Sequence, residues 1–466
     1  MKLKKLFRDF GYVISSNALT LLISTMVIVI VPKLIGVKEY GYWQLFTFYS
    51  SYLGLLPFGW LDGIYLRYGG ERYENLDKKL FFSQFVMLML LQVVFATAFI
   101  IVGLFVHNEY FFFIINSLAV YLVILVAQSF FKFILQLTNR MREFSIIMIL
   151  ANFFYITIVI FQLLKDIHDF RSLIGAFIIG NLIATLYGAF VLRDIFISGF
   201  RHFNWSFGEA FANIRVGIQL LISNLAAMLI IGVVRIGIQR GWGIETFGKV
   251  SLTLSISNLL MVFINAISLV LFPKFRRIKR NKLNELYPII RDLLMPIIFV
   301  GILFYFPISY FIPIWLPKYS SALIYMSILF PMIAYQAKFE ILSNTFLKVL
   351  RMEKQLLVIN VATLCFSILM TIISVFFLHS LTFTIFTIVI VMAIRSTISE
   401  LYVKSKLNVR FSFELLLESI MVALFIFLTW YLPVTEALVA YILVLTMYLL
   451  IKKHDIFSAI KAAQSM

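Results

Sequence analysis

The chain has 466 residues, of which 62% are hydrophobic and only 13% charged, with a mean hydropathy of +0.99 and a net charge of +18. A soluble domain must cover its surface with charge, so composition excludes a soluble enzyme or nucleic-acid-binding module and makes lipid the solvent for most of the chain. One cysteine, Cys365, leaves neither a disulfide framework nor a cysteine-based metal site.

In chain order, a basic tail (Lys2, Lys4, Lys5) leads into an uncharged run over 10–32. That run is too long for a signal core and no small-x-small cleavage site follows, so it is predicted to be a retained first helix. Similar runs follow at 40–61, 80–108, 110–131, 144–164, 172–192, 216–234, 250–273, 293–317, 319–337 and 419–435, with a short last one at 437–451. Each of the long ones approaches or exceeds the roughly 20 helical residues that cross a hydrocarbon core. The 40 uncharged residues at 355–394 predict two helices with a hairpin near His379-Ser380. Barrel strands would alternate in polarity, whereas these runs are apolar on both faces. The expected fold is an all-α integral membrane protein of about 14 transmembrane helices.

The basic residues orient these spans. With the N-terminus inside, the cytoplasmic segments hold 27 of the 40 Lys and Arg, densest at Lys274, Arg276, Arg277, Lys279, Arg280 and Lys282. The outer loops hold seven: Lys33, Lys38, Lys165, Arg171, Arg240, Lys249 and Lys318. This follows the positive-inside rule and predicts both termini in the cytoplasm. The net charge then needs no nucleic acid, because topology and an anionic inner leaflet account for it.

Gly36-Val37-Lys38-Glu39-Tyr40-Gly41 returns as Gly243-Ile244-Glu245-Thr246-Phe247-Gly248, 207 residues later, and Ser16-Asn17 returns as Ser223-Asn224 at the same offset. Two coincidences at one offset indicate a duplication. The six intervening helices are an even number, so the copies are parallel repeats related by an axis along the membrane normal. In each turn the first glycine is expected at positive φ and the second where the next helix starts close to a neighbour.

"VPKLIGVKEYGYW", in which a helix ends in a Pro-x-x-x-Gly turn and Tyr-Gly opens the next, resembles the Wzx-type polysaccharide flippases of the multidrug/oligosaccharidyl-lipid/polysaccharide (MOP) superfamily. "LFPKFRRI" at 271–278 and the spacing of the spans extend the resemblance over the whole chain. It implies an N-lobe over 1–210 (helices 1–6) and a C-lobe over 211–404 (helices 7–12), two six-helix lobes about a central cavity. Two C-terminal helices and a cytoplasmic tail would occupy 405–466.

The implied activity is to flip an undecaprenyl-diphosphate-linked oligosaccharide from the cytoplasmic to the outer face of a bacterial inner membrane, for surface polysaccharide assembly. The implied partners are that glycan, the lipid bilayer, and a polysaccharide polymerase with its chain-length proteins. No cofactor is implied beyond coupling to an H⁺ or Na⁺ gradient. Two relatives within the superfamily stand as rivals, a cation-coupled multidrug antiporter and a lipid II flippase.

Six basic residues fall outside the loops: Lys132, Arg215, Arg235, Arg291, Lys338 and Arg395. A charge at a helix centre costs about 2.5–3.5 kcal/mol, so such residues face a polar cavity or snorkel to an interface. Arg235 and Arg291 lie near span ends. Lys338 lies deep in the tenth span with Glu340 on another face, and Lys132, Arg215 and Arg395 lie in the cytoplasmic half. Arg67, just below the second span, joins them, and pairing with Arg67 is the role expected of nearby Asp62. Arg forks and Lys ammonium groups suit a diphosphate. Lys338, Arg215, Arg395, Lys132, Arg67 and Arg235 are therefore the candidate anion contacts. Asn17, Asn224, Asn258 and Gln336 are candidates for sugar hydroxyls, each with interhelical hydrogen bonding as its ordinary alternative.

No Gly-x-x-x-x-Gly-Lys-[Ser/Thr] loop occurs, and the five His residues are scattered with no His-Glu-x-x-His pattern. Nothing therefore marks an enzyme. A polytopic glycosyltransferase or ligase would also carry a sizeable outer domain.

Overall fold

The structure, a computed structural model, describes residues 21–275, 280–409 and 413–465. Among them all regular structure is helical, as a chain that must satisfy its backbone within each apolar segment requires. Ser16-Asn17 and residues 276–278 of "LFPKFRRI" lie outside the described residues. The chain divides into two compact units, Met1–Leu225 and Ala226–Met466.

In the first unit α1 (Leu21–Leu34) and α2 (Val37–Ser50) are followed by a break containing the single 3-10 turn Leu53–Leu55 and by α3 (Trp60–Tyr68). Then come α4 (Lys78–Leu104), α5 (Glu109–Leu137), α6 (Met141–Leu164), α7 (Phe170–Val191) and the short α8 (Arg193–Gly199). Local chemistry starts these helices. Asp77 accepts from the Lys79 and Leu80 amides, Asn108 from Tyr110 and Phe111, and Asp169 from Ser172, each satisfying donors that a first turn leaves open. Helices α2, α3, α4, α6 and α7 all pack on α5, so beyond its first residue only Phe112 and Val120 on it are exposed.

α9 (Phe207–Phe275) begins in the first unit and continues in the second. Its 69 residues would run roughly 100 Å, about three times the hydrocarbon thickness. The backbone is non-helical at Gly243 (φ 81°, ψ −176°), and two helices meet there. The positive φ expected at the first glycine of the repeated turn is therefore found at the second copy and not at the first: Gly36 is extended (φ −66°, ψ 157°) and simply precedes α2. Tyr40 and Phe247, at matched positions of the repeat, are each 1% exposed.

The second unit continues with α10 (Arg280–Ile302), α11 (Tyr305–Trp315), α12 (Leu323–Leu329) and α13 (Met332–Lys338). A π-helical stretch, Phe339–Asn344, joins α13 to α14 (Thr345–Val349). α15 (Glu353–Ile372) and α16 (Leu381–Leu407) make the expected hairpin, turning at His379 (φ 45°) with Ser380 capping α16. α17 (Glu414–Tyr431), α18 (Val434–Ile451) and α19 (Lys453–Ser465) complete the chain.

Ten described helical segments are long and apolar enough to cross a membrane, or eleven if the bent pair Pro317–Leu329 and Met332–Val349 is one span. The expected count of 14 is not reached on that measure, and the shortfall has definite places. Phe207–Val262 runs through Gly243 as one segment, α1 is described over only 14 residues, and the second predicted span is interrupted between α2 and α3.

Candidate functional site

The first unit joins α3 to the start of α9 through backbone contact. A Cβ on Gly63 would fall on the Asn213 carbonyl, and one on Gly217 would fall on the Gly59 carbonyl, so only glycines allow this crossing. Gly59 also sits at φ 79° and opens α3, a conformation that costs other residues roughly 1–2 kcal/mol. Around the crossing lies a satisfied polar network. Arg67 donates to Asn213 Oδ1 at 2.6 Å and pairs with Glu209 at 2.7 Å, while the Tyr68 hydroxyl donates to Glu209 at 2.6 Å. Gln84 accepts from Trp60 Nε1 at 2.8 Å and donates to Ser206 Oγ at 2.6 Å.

Arg67 thus takes Glu209 as its acid rather than Asp62. Five residues apart on one helix, Asp62 and Arg67 face different ways, whereas α9 brings Glu209 alongside. Asp62 is half-buried, and its carboxylate meets its own backbone amide but makes no ion pair or side-chain hydrogen bond with any described residue.

Lys132 lies on α5 and is half-exposed, as are Leu125, Ser129 and Gln136, which share its side of the helix by spacing. It makes no ion pair or hydrogen bond with any described residue. Arg215 and Asn224, on the part of α9 that belongs to the first unit, are exposed. Arg215 has no acidic partner among the described residues. Asn17 lies outside the described residues.

The second unit treats its intramembrane charges differently. Lys338 is 1% exposed, and its ammonium lies 2.7 Å from Glu400 and 2.8 Å from Glu418. Arg291, 2% exposed, reaches the same two carboxylates at 3.1 and 2.9 Å and pairs with Glu414 as well. Lys404 pairs with Glu400 at 3.1 Å. Asp292, Glu414 and Asp455 converge as three metal-competent carboxylates, but the Lys452 ammonium already lies among them at 3.2, 2.6 and 2.7 Å. Four cations against five carboxylates make a nearly neutral network joining α10, α13, α16, α17 and α19, buried at Lys338, Glu400 and Glu418 and open to the outside at Asp455.

Arg395 is 5% exposed, donates through Nε and an Nη to Asn360 Oδ1 at 3.0 and 2.8 Å, and lies 3.7 Å over the Phe339 ring. Arg235 donates to Ser251 Oγ at 2.9 Å and lies 5.1 Å over Phe247, bridging the two arms of α9 across Gly243. Asn258 is exposed and Gln336 half-buried.

Sequence reasoning found the cations but not their acids. Glu400 and Glu418 are 62 and 80 residues from Lys338, beyond any helical spacing. The available signal was that both acids fall in or beside otherwise apolar runs, where an acid is as costly as a cation.

A family model described as polysaccharide biosynthesis protein matches residues 6–279, more than half the chain. No curated protein sequence matches. Among solved structures, the chain is similar to a multidrug resistance MATE family transporter of the MOP superfamily in its inward-facing conformation. The identity is 14%, 84% of this chain and 98% of that one are covered, and the TM-score is 0.65. It is similar also to the lipid II flippase MurJ in an inward closed conformation, at 14% identity, covering 96% of this chain and 98% of that one with a TM-score of 0.64. At such identities the likeness is one of fold.

Proposed function

Because the chain belongs to the polysaccharide biosynthesis protein family, within the MOP superfamily, we propose that this multi-pass membrane transporter flips an undecaprenyl-diphosphate-linked oligosaccharide from the inner to the outer face of a bacterial inner membrane. The carrying observation is Lys132, a half-buried ammonium in a 29-residue apolar helix with no partner among the described residues. A charge kept where charge is expensive, and not neutralised by the chain, suits an anionic cargo. Arg215, exposed on the same unit, adds a forked donor of the kind a diphosphate takes up, while Arg67 already holds Glu209 and Asn213 and ties α3 to α9.

We assign Asn224, with Asn17, to the sugar hydroxyls. Lys338, Arg395 and Arg235 hold helices together, since each already has partners within the second unit. Transport runs by alternating access between two states, and the cargo drives it only by binding them unequally. The chain acts without catalysis. A polysaccharide polymerase and chain-length proteins stand downstream.

One observation favours the rival cation-coupled antiporter: the half-buried Asp62 carboxylate without a side-chain partner among the described residues. The readings separate by cargo. In proteoliposomes, the flippase translocates a diphosphate-linked oligosaccharide and accumulates no cationic dye. Dye accumulation driven by an H⁺ or Na⁺ gradient, with the glycolipid left in place, would reverse the assignment.

A further inference from the structure

At one end of the first unit, where α6 begins and α7 gives way to α8, lies a cavity of about 360 Å³ lined by Arg140, Arg142, Glu143, Tyr187, Phe190 and Arg193, among others. Glu143 is its one acid, and Arg140 takes it up at 2.9 Å. Arg142 and Arg193 are exposed and make no ion pair with any described residue. The Arg193 guanidinium is held 5.1 Å over the Phe190 ring. The cavity therefore keeps two uncompensated cations, one of them already oriented by an aromatic face.

Its surroundings are apolar. Phe190 is 62% exposed, and on the following segment Ile197 and Phe200 are 75% and 80% exposed. Such side chains next to arginines belong at a headgroup boundary rather than in water. Basic-residue asymmetry puts this end of the bundle at the cytoplasmic face, where the leaflet is anionic and basic pockets between helices take lipid headgroups.

The volume is at the low end of ligand pockets, about 300–1,000 Å³. It accommodates a phosphodiester with its glycerol and is small for an oligosaccharide. Arg140 leads from the cavity into the adjoining loop: its guanidinium lies 4.8 Å over Tyr73, whose hydroxyl donates to Asp194 beside Arg193 at 2.5 Å.

We propose that this cavity between α6, α7 and α8 is a binding site for the phosphodiester of an anionic glycerophospholipid. Arg142 and Arg193 are its charge-assisted donors, and Phe190 lies along the start of an acyl chain. None of the lining residues is among the proposed cargo contacts.

The test is native mass spectrometry of the full chain titrated with phosphatidylglycerol, phosphatidylethanolamine or inorganic phosphate. One phosphatidylglycerol should bind in preference to phosphatidylethanolamine. Affinity should fall about tenfold or more in R142Q/R193Q, since each cation near the surface contributes about 1 kcal/mol. R142K/R193K should retain binding, and each single Gln variant, at an exposed position, should lose part of it. Equal binding of the two lipids, or unchanged affinity in R142Q/R193Q, would overturn the proposal. So would displacement of the lipid by inorganic phosphate alone, or its one-for-one displacement by a polyprenyl diphosphate, which would make the cavity part of the cargo route.

Discussion

Gly63 of α3 and Asn213 of α9 meet backbone to backbone, so closely that a Cβ on the glycine would fall on the asparagine carbonyl. The Asn213 side chain, 0% exposed, also accepts from Arg67. One short crossing thus ties the start of the longest helix to α3 by shape and by charge. Any conformational cycle that parts α9 from α3 must break both.

Gly63→Ala tests the crossing. Overpacking costs about 1–3 kcal/mol, so the contact should open about tenfold more often. In a Cys365→Ser background, Asn213→Cys should react with a water-soluble maleimide correspondingly faster when Gly63→Ala is added. An unchanged rate would mean the crossing yields without opening.

Lys338 tests the buried network. Lys338→Met leaves the Glu400 and Glu418 carboxylates short of a cation in a dry site, and removing one partner of a buried pair typically costs about 3–5 kcal/mol. Thermal unfolding in detergent should show that loss. Adding Glu418→Gln should recover part of it, because the uncompensated charge goes too. Were the double variant to melt below the parent by the full sum of the two single losses, the two groups would not be coupled.

The loop before α4 tests pH dependence. Burial pushes the Asp194 carboxyl up, but hydrogen bonds from Lys78 and Tyr73 outweigh it and hold the group below its ordinary value. A depressed carboxylate adds stability that is fully present above the unfolded value, about 3.9, and lost as pH falls through the folded one. With the Asp194 side chain 38% exposed, the gain is at most about 1 kcal/mol. Asp194→Asn should therefore melt slightly lower than the parent at pH 7, and the gap should narrow as pH falls below the ordinary carboxylate value. A gap that widens in acid would contradict the sign.

The all-helical membrane fold was legible because hydrophobicity is a one-dimensional property that each span carries alone. The turn at Gly243 and the hairpin at His379-Ser380 were legible for the same reason, since glycine and a capping serine act locally. Gly36 was misread because a Gly-rich turn can be built without positive φ. The partners of the cations were not legible. Glu209 reaches Arg67 across 142 residues and Glu418 reaches Lys338 across 80, and no spacing encodes such a meeting. Depth along the span put Lys338 ahead of Lys132 as the cavity cation; only packing separates the one left open from the one already neutralised.

The most direct measurement is the initial rate at which proteoliposomes translocate an undecaprenyl-diphosphate-linked oligosaccharide, with the parent compared to Lys132→Gln, Arg215→Gln and the double variant. A hydrogen bond to a charged group contributes about 1.5–3 kcal/mol, so each single change should slow transport about tenfold to a hundredfold, Lys132→Arg should retain most of the rate, and the double variant should be inactive though folded. A double variant that transports at the parental rate would contradict the account.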